Sequence, residues 1–192
     1  MICYLVRHGQ DDETVRGGWS QHPLSEEGIR QAEVLAENMS QVTIGAVYSS
    51  DLCRAMQTAQ ILAKGRHLPV IPLPQFREVN NGVLAGMKNA IATAQYPNLF
   101  WNQLEWEQCY PGGECPKAFY DRIYAAWTAF AEEILSQDAD VVLVTHGGVI
   151  HAIRAILEKR QYSNQEAQRK VRHGEVIALS YENGEWKETV SK

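Results

Sequence analysis

Two short runs in this chain carry no charge and no alternation: ICYLV at residues 2–6 and VVLV at residues 141–144. A strand with one wet face alternates apolar and polar side chains, whereas one that is apolar throughout must be covered on both sides. The chain therefore needs helices above and below a sheet, and the segments between its strands supply them. After Ser25, a candidate N-cap, Ile29, Ala32, Leu35 and Met39 recur at helical spacing. The second candidate strand, IGAVYSS, leads into SDLCRAMQTAQILAKG, where Ser50 or Asp51 is the expected cap and Leu52, Ala55, Met56, Ala59 and Leu62 form the apolar stripe. Phe119, Ile123, Ala126, Phe130 and Ile134 mark a long helix over residues 117–135. LPVIPLP reads as an edge strand because of its prolines, and EVIALSYENGEW as a hairpin around Asn183-Gly184. Strands alternating with helices predict an α/β fold, a three-layer sandwich with a mostly parallel central sheet flanked by helices.

With 192 residues the expectation is a single domain, 1–192. One stretch, about residues 76–116, breaks the rhythm and reads as an irregular helical lid, unusually aromatic in NLFWNQLEWEQ. The net charge of −5 argues against a nucleic-acid partner. It leaves an anionic small molecule open, because a local positive cluster can dominate a cleft. No apolar run approaches the roughly 20 residues of a membrane span. MICYLVRHG lacks the charged start and long apolar stretch of a signal peptide. The four cysteines form no CxxC pair, although Cys109 and Cys115 are close enough in sequence to pair. A cytoplasmic location with no membrane partner is expected, and the C-terminal hairpin offers an exposed edge for a homodimer.

The tripeptide Arg-His-Gly occurs twice, at residues 7–9 and 172–174. In open α/β sheets ligands bind beyond the carboxyl ends of the parallel strands. The first copy follows a strand and the second precedes one. His8 is therefore expected at a site, and His173 is expected to be replaceable by Ala with little loss. His146 follows another buried run, before Gly147, and AVYSS leads within a few residues to Arg54. Three strand exits thus deliver Arg7, His8, Arg54 and His146. Two guanidinium groups and two imidazoles suit a phosphoryl dianion. His22, His67 and His151 read as non-catalytic. With no HExxH and a five-residue gap between His146 and His151, no metal site is expected.

These motifs, in this order, resemble the histidine phosphatase superfamily, also called the phosphoglycerate mutase-like family. The carriers are RHG after the first strand, GWSQHPLSEEGIRQA, VYSSDLCRAMQTA, REVNNGVLAG, PGGEC and VTHGGVI. The resemblance covers most of the chain. It implies His8 as the nucleophile of a covalent phosphohistidine, with Arg7, Arg54 and His146 binding the phosphoryl oxygens. Glu78 is implied as the proton donor, with Glu107 and Glu114 as rivals. It further implies Thr14, Gly18 and Gly147 beside the phosphate, Thr14 standing where many members have Asn and Gly17-Gly18 matching a small-residue turn. No metal or cofactor is implied, since arginines take the role of a divalent ion. A departure is Ala85-Gly86 where the family carries Glu-Gly.

The reading that follows is a phosphomonoesterase acting on a small phosphorylated metabolite. The alternatives are a phosphoglycerate mutase-like isomerase and a non-catalytic phosphate-binding protein. Sugar phosphates, phosphoglycerate, α-ribazole phosphate and phosphoproteins are all compatible substrates. The middle of the chain is shorter than in the mutases and has no paired arginines.

Overall fold

The computed structural model describes residues 1–137, 139–166 and 169–189 of the chain. Six strands form one sheet: β1 (Ile2–Arg7), β2 (Ala46–Ser49), β3 (Val70–Pro72), β4 (Val141–Thr145), β5 (Val176–Glu182) and β6 (Glu185–Glu188). Their order across the sheet is β3-β2-β4-β1-β5-β6. β1, β2, β3 and β4 are parallel, while β5 and β6 run antiparallel at one side. Helices α1 (Glu26–Asn38) and α2 (Cys53–Lys64) cover one face, and α4 (Pro116–Leu135) and α5 (Gly147–Leu157) the other. The short helix α3 (Asn89–Gln95) lies in the irregular middle, with three 3-10 turns around it. The expected three-layer sandwich is the observed one.

The continuous apolar runs explain the layering. All five residues of β4 are buried. Alternate residues of neighbouring strands feed separate cores. Leu5, Tyr48, Leu143 and Ile177 pack with Phe119, Ile123, Phe130 and Ile150 on one side. Val6, Val47, Val142 and Val144 pack with Leu35, Ala55, Ala59 and Leu62 on the other. At roughly 1.5–3 kcal/mol per fully buried large apolar side chain, each core outweighs any single polar contact in the fold.

β3 is indeed an edge strand, and it ends on Pro72. The hairpin turns at Asn183 (φ 52°) and Gly184 (φ 82°), the left-handed pair that a two-residue type I′ turn requires. Neither expected cap holds α2. It starts after Leu52 with no side-chain cap. Asp51 instead grips Arg77 with both oxygens, at 2.6 and 2.5 Å, and the Ser50 hydroxyl meets His146. Cys109 and Cys115 are free thiols, as are Cys3 and Cys53. Among the described residues no helix is long and apolar enough to cross a membrane.

Candidate active site

Because β4 lies between β2 and β1, the three strand exits are side by side. The ladder even continues past the strands: His8 N–H donates to Thr145 O (3.0 Å) and Ser50 N–H to Val144 O (2.9 Å). Main-chain hydrogen bonds thus fix the start of each site loop.

His8 is 4 % exposed, so its ring is set by protein contacts alone. Its Nδ1 lies 2.6 Å from Gly9 O. A carbonyl oxygen only accepts, so Nδ1 carries the proton and Nε2 presents the lone pair. That lone pair accepts a hydrogen bond from Arg54 Nε at 3.2 Å. Burial, then the Arg54 charge, hold the His8 imidazole well below its usual titration range, against the pull of the Gly9 carbonyl. The ring is neutral at neutral pH, the form in which imidazole is a nucleophile.

Arg54 is a charged residue at 2 % exposure, which only a dense set of acceptors makes tolerable. Its Nη1 donates to Ser20 O (3.1 Å) and its Nη2 to Gly18 O (2.7 Å), while Asp11 lies 3.4 Å from Nε. Gly18 adopts φ +53°, and a Cβ there would sit 2.0 Å from Asn81 Oδ1. Gly18 therefore serves this site by aiming its carbonyl at Arg54.

The His146 ring is fully buried, 5.0 Å from that of His8, and its Nε2 lies 2.8 Å from Ser50 Oγ. Burial, followed by the Arg54 charge, keeps it neutral too. Its Nδ1 is buried without a hydrogen-bond partner, and so is Arg7 Nε. Buried unpaired polar groups are costly. Two of them beside two guanidinium groups and two neutral imidazoles make a pocket that an anion would complete.

Arg7 also lines a cavity of about 390 Å3, together with Glu78, Gly147 and Gly148. Glu78 is held by main-chain donors, with Val79 N–H on Oε1 (3.0 Å) and Gly148 N–H on Oε2 (3.1 Å). The second donor belongs to the first turn of α5, whose N–H groups have no partner within the helix. Trp101, Tyr110 and Tyr162 line the same cavity, the first two stacked at 6.2 Å. His151 also faces this cavity; burial, then Arg154, pushes it down to about 4.

Of the residues expected here, Arg7, His8, Arg54 and His146 converge, and Glu78, Gly18 and Gly147 adjoin them. Thr14 does not: it is exposed, and its hydroxyl donates to Asp12 at 2.7 Å. The short Asp-x-Thr turn captures it before it can reach the cluster. Of the rival acids, Glu107 is exposed on the surface. Glu114 forms an ion pair with Arg122 (2.6 Å) and accepts Asn80 N–H (2.8 Å). Its carboxylate braces the Glu78 segment from behind, because Arg122 also donates to the Arg77 and Glu78 carbonyls.

The expectation that His173, preceding its strand, lies away from the site is corrected. β5 pairs antiparallel with β1, Val6 opposite Val176, so the two Arg-His-Gly copies cross. Gly174 N–H donates to Arg7 O (3.0 Å) and Arg7 N–H to Glu175 O (3.1 Å). His173 is thereby brought to 5.6 Å from the His8 ring, with Arg7 Nη2 2.7 Å from its Nε2. A residue that precedes a strand reaches the site because that strand is antiparallel. Asp11, Ser20 and His173 were not among the expected site residues, nor was the hydroxyl contact of Ser50 with His146. These roles come from contacts made across the fold.

His8, Asp11 and His173 each offer one ligand atom within 4.8 Å of the others, a spacing that can hold a cation. Two of the three already face guanidinium groups, Asp11 at Arg54 and His173 at Arg7.

A buried neutral imidazole whose Nε2 lone pair faces a guanidinium, at the carboxyl edge of a parallel sheet, suits a phosphoryl-transfer type of site. The sequence matches the family model "Histidine phosphatase superfamily (branch 1)" over residues 3–191, and the chain belongs to that superfamily. It is 30% identical to the probable phosphoglycerate mutase GpmB of Proteus mirabilis, covering 95% of this chain and 86% of the relative. A mycobacterial glucosyl-3-phosphoglycerate phosphatase in complex with VO3 superposes with a TM-score of 0.82 at 30% identity, over 98% of this chain and 97% of that one. The α-ribazole phosphatase of Shigella flexneri gives a TM-score of 0.86 at 26% identity, over 99% and 95%.

Proposed function

We propose that the protein is a metal-independent phosphomonoesterase acting through a phosphohistidine on a small phosphorylated metabolite. The observation that carries this reading is the His8 tautomer. With Nδ1–H committed to Gly9 O, Nε2 is the nitrogen that carries the lone pair for attack. In the first step the Nε2 lone pair forms a bond to phosphorus and the P–O bond to the leaving group breaks. Glu78 delivers a proton to the departing oxygen. In the second step water attacks phosphorus, Glu78 takes back a proton, the P–N bond breaks and phosphate leaves. Arg7, Arg54 and His146 bind the non-bridging oxygens through both steps, which is where electrostatics contribute most to such reactions.

Hydrolysis is favoured over mutase chemistry by the cavity beyond the phosphate. Arg7 is the only arginine or lysine among the described residues that line it. A phosphoglycerate carboxylate would find no second guanidinium there. The aromatic walls suit an uncharged or ring-shaped body, since aromatic faces bury area and stack. The structural relatives named α-ribazole phosphatase and glucosyl-3-phosphoglycerate phosphatase support a hydrolase reading.

The test is turnover and labelling. Wild-type protein should release phosphate from p-nitrophenyl phosphate and, on acid-free quenching, carry phosphate on His8. His8→Ala should do neither. Interconversion of phosphoglycerates primed by a bisphosphate, without phosphate release, would favour the mutase. Absence of both turnover and label in the wild type would leave only a binding role.

A further inference from the structure

We infer that His173 is a positioning residue for the reaction, holding the Arg7 guanidinium in place by accepting a hydrogen bond at Nε2. This rests on the phosphomonoesterase reading. The argument begins with Arg7 itself. Its Nη1 donates to Val171 O at 2.6 Å and its Nη2 faces His173 Nε2 at 2.7 Å. Both terminal nitrogens are thus tied to one short segment before β5, while Nε has no partner. A guanidinium is permanently a donor, so the nitrogen it faces must offer a lone pair. His173 therefore carries its proton on Nδ1 and is neutral when Arg7 is in place.

The backbone fixes the imidazole as firmly as the side chain it holds. Gly174 N–H donates to Arg7 O, and Gly174 itself sits at φ +71°, which lets the chain reverse immediately after His173. The second tripeptide is the clamp of the first.

Protonation would reverse the contact. An imidazolium presents N–H at both nitrogens, so Nε2–H would meet Arg7 Nη2–H and add a positive charge 5.6 Å from the His8 ring. Every charged neighbour bears on when this happens. Burial first, then Arg7, disfavours the imidazolium, and so does Lys170; Asp11 and Glu13 favour it. Glu27 and Arg30 on α1 share the outer groove with His173 but pair with each other at 2.8 Å, and Arg172 lies 3.6 Å from Glu175. The balance places the loss of the clamp below the ordinary histidine range. The expected consequence is an acid limb in kcat/KM that belongs to His173.

The experiment compares wild type, His173→Ala and His173→Gln as full-length proteins. The readouts are kcat/KM for p-nitrophenyl phosphate from acid to neutral pH and the inhibition constant of orthovanadate. His173→Ala should lose roughly tenfold or more in kcat/KM at neutral pH and weaken vanadate by a similar factor, the scale of one hydrogen bond to a charged group. His173→Gln should recover most of both, because its carbonyl oxygen can accept from Arg7. Its acid limb should move to lower pH, because an amide does not titrate there. Should His173→Ala fail to fold, the pH profile of His173→Gln decides alone. Wild-type values for both constants in His173→Ala, or an unmoved acid limb in His173→Gln, would overturn the assignment. A wild type that neither turns over nor binds vanadate would bring down the phosphomonoesterase reading and this one with it.

Discussion

Gly148 and Glu78 are in direct contact: the glycine N–H donates to Glu78 Oε2 at 3.1 Å, and a Cβ on that glycine would lie 2.3 Å from Oε1. The helix that begins beside His146 thus both holds the carboxylate and leaves room for it. Gly148→Ala should push the flexible end of Glu78 aside without disturbing the backbone. Alanine is the better helix former by up to about 1 kcal/mol, so stability should hold or rise. Turnover should fall, by roughly 100-fold if the carboxyl moves by about an ångström. Thermal unfolding beside kcat for p-nitrophenyl phosphate separates the two effects. An unchanged kcat would mean that Glu78 is not needed where it stands.

Arg54→Lys is expected to be severe. The planar fork reaches Gly18 O, Ser20 O and His8 Nε2 at once, and an ammonium cannot reproduce those three directions. Loss of about 100-fold in kcat/KM matches the removal of one well-placed oxyanion donor. Weaker phosphate binding, read by calorimetry, should accompany it. A lysine variant with near wild-type kcat/KM would show that charge alone suffices.

Stability should depend on pH in a defined direction. His8, His146 and His151 titrate below 6.5 in the folded protein, chiefly because of burial, His151 at about 4. Between those values and 6.5 the unfolded chain binds protons that the folded chain rejects. Stability therefore rises with pH through that window, is complete above 6.5 and is lost as pH falls. Each histidine contributes a slope of up to about 1.4 kcal/mol per pH unit. Urea unfolding at mildly acidic and neutral pH reads this, and His146→Asn should flatten the dependence. Inorganic phosphate should restore acid stability, because a bound anion favours imidazolium. Equal slopes in wild type and His146→Asn would refute the assignment for His146.

Trp101 tests the cavity wall. It stacks on Tyr110 and meets Phe119 edge-on at 5.5 Å, so Trp101→Ala removes one aromatic wall of the cavity. KM for p-nitrophenyl phosphate should rise about three- to tenfold, the range of one aromatic contact. KM for glycerol phosphate, which has no ring, should change little. Equal effects on both substrates would point to a general loss of packing.

The sequence alone determined the layers. Apolar runs such as residues 141–144 cannot sit against water on either face, and helical stripes such as Leu35 or Phe130 have to find them; both are local facts of spacing. It also determined that Arg7, His8, Arg54 and His146 leave from strand ends, because each motif adjoins its own strand. Only the tertiary structure decided which strands are neighbours and in which direction they run. That placed β5 antiparallel to β1 and carried His173 to Arg7, although locally it precedes a strand like any surface turn. It also drew Ser50 from its capping role to His146 and set Gly148 against Glu78. Hydrogen bonds between residues far apart in the chain depend on sheet order and direction, and neither quantity is written in the period of any single segment.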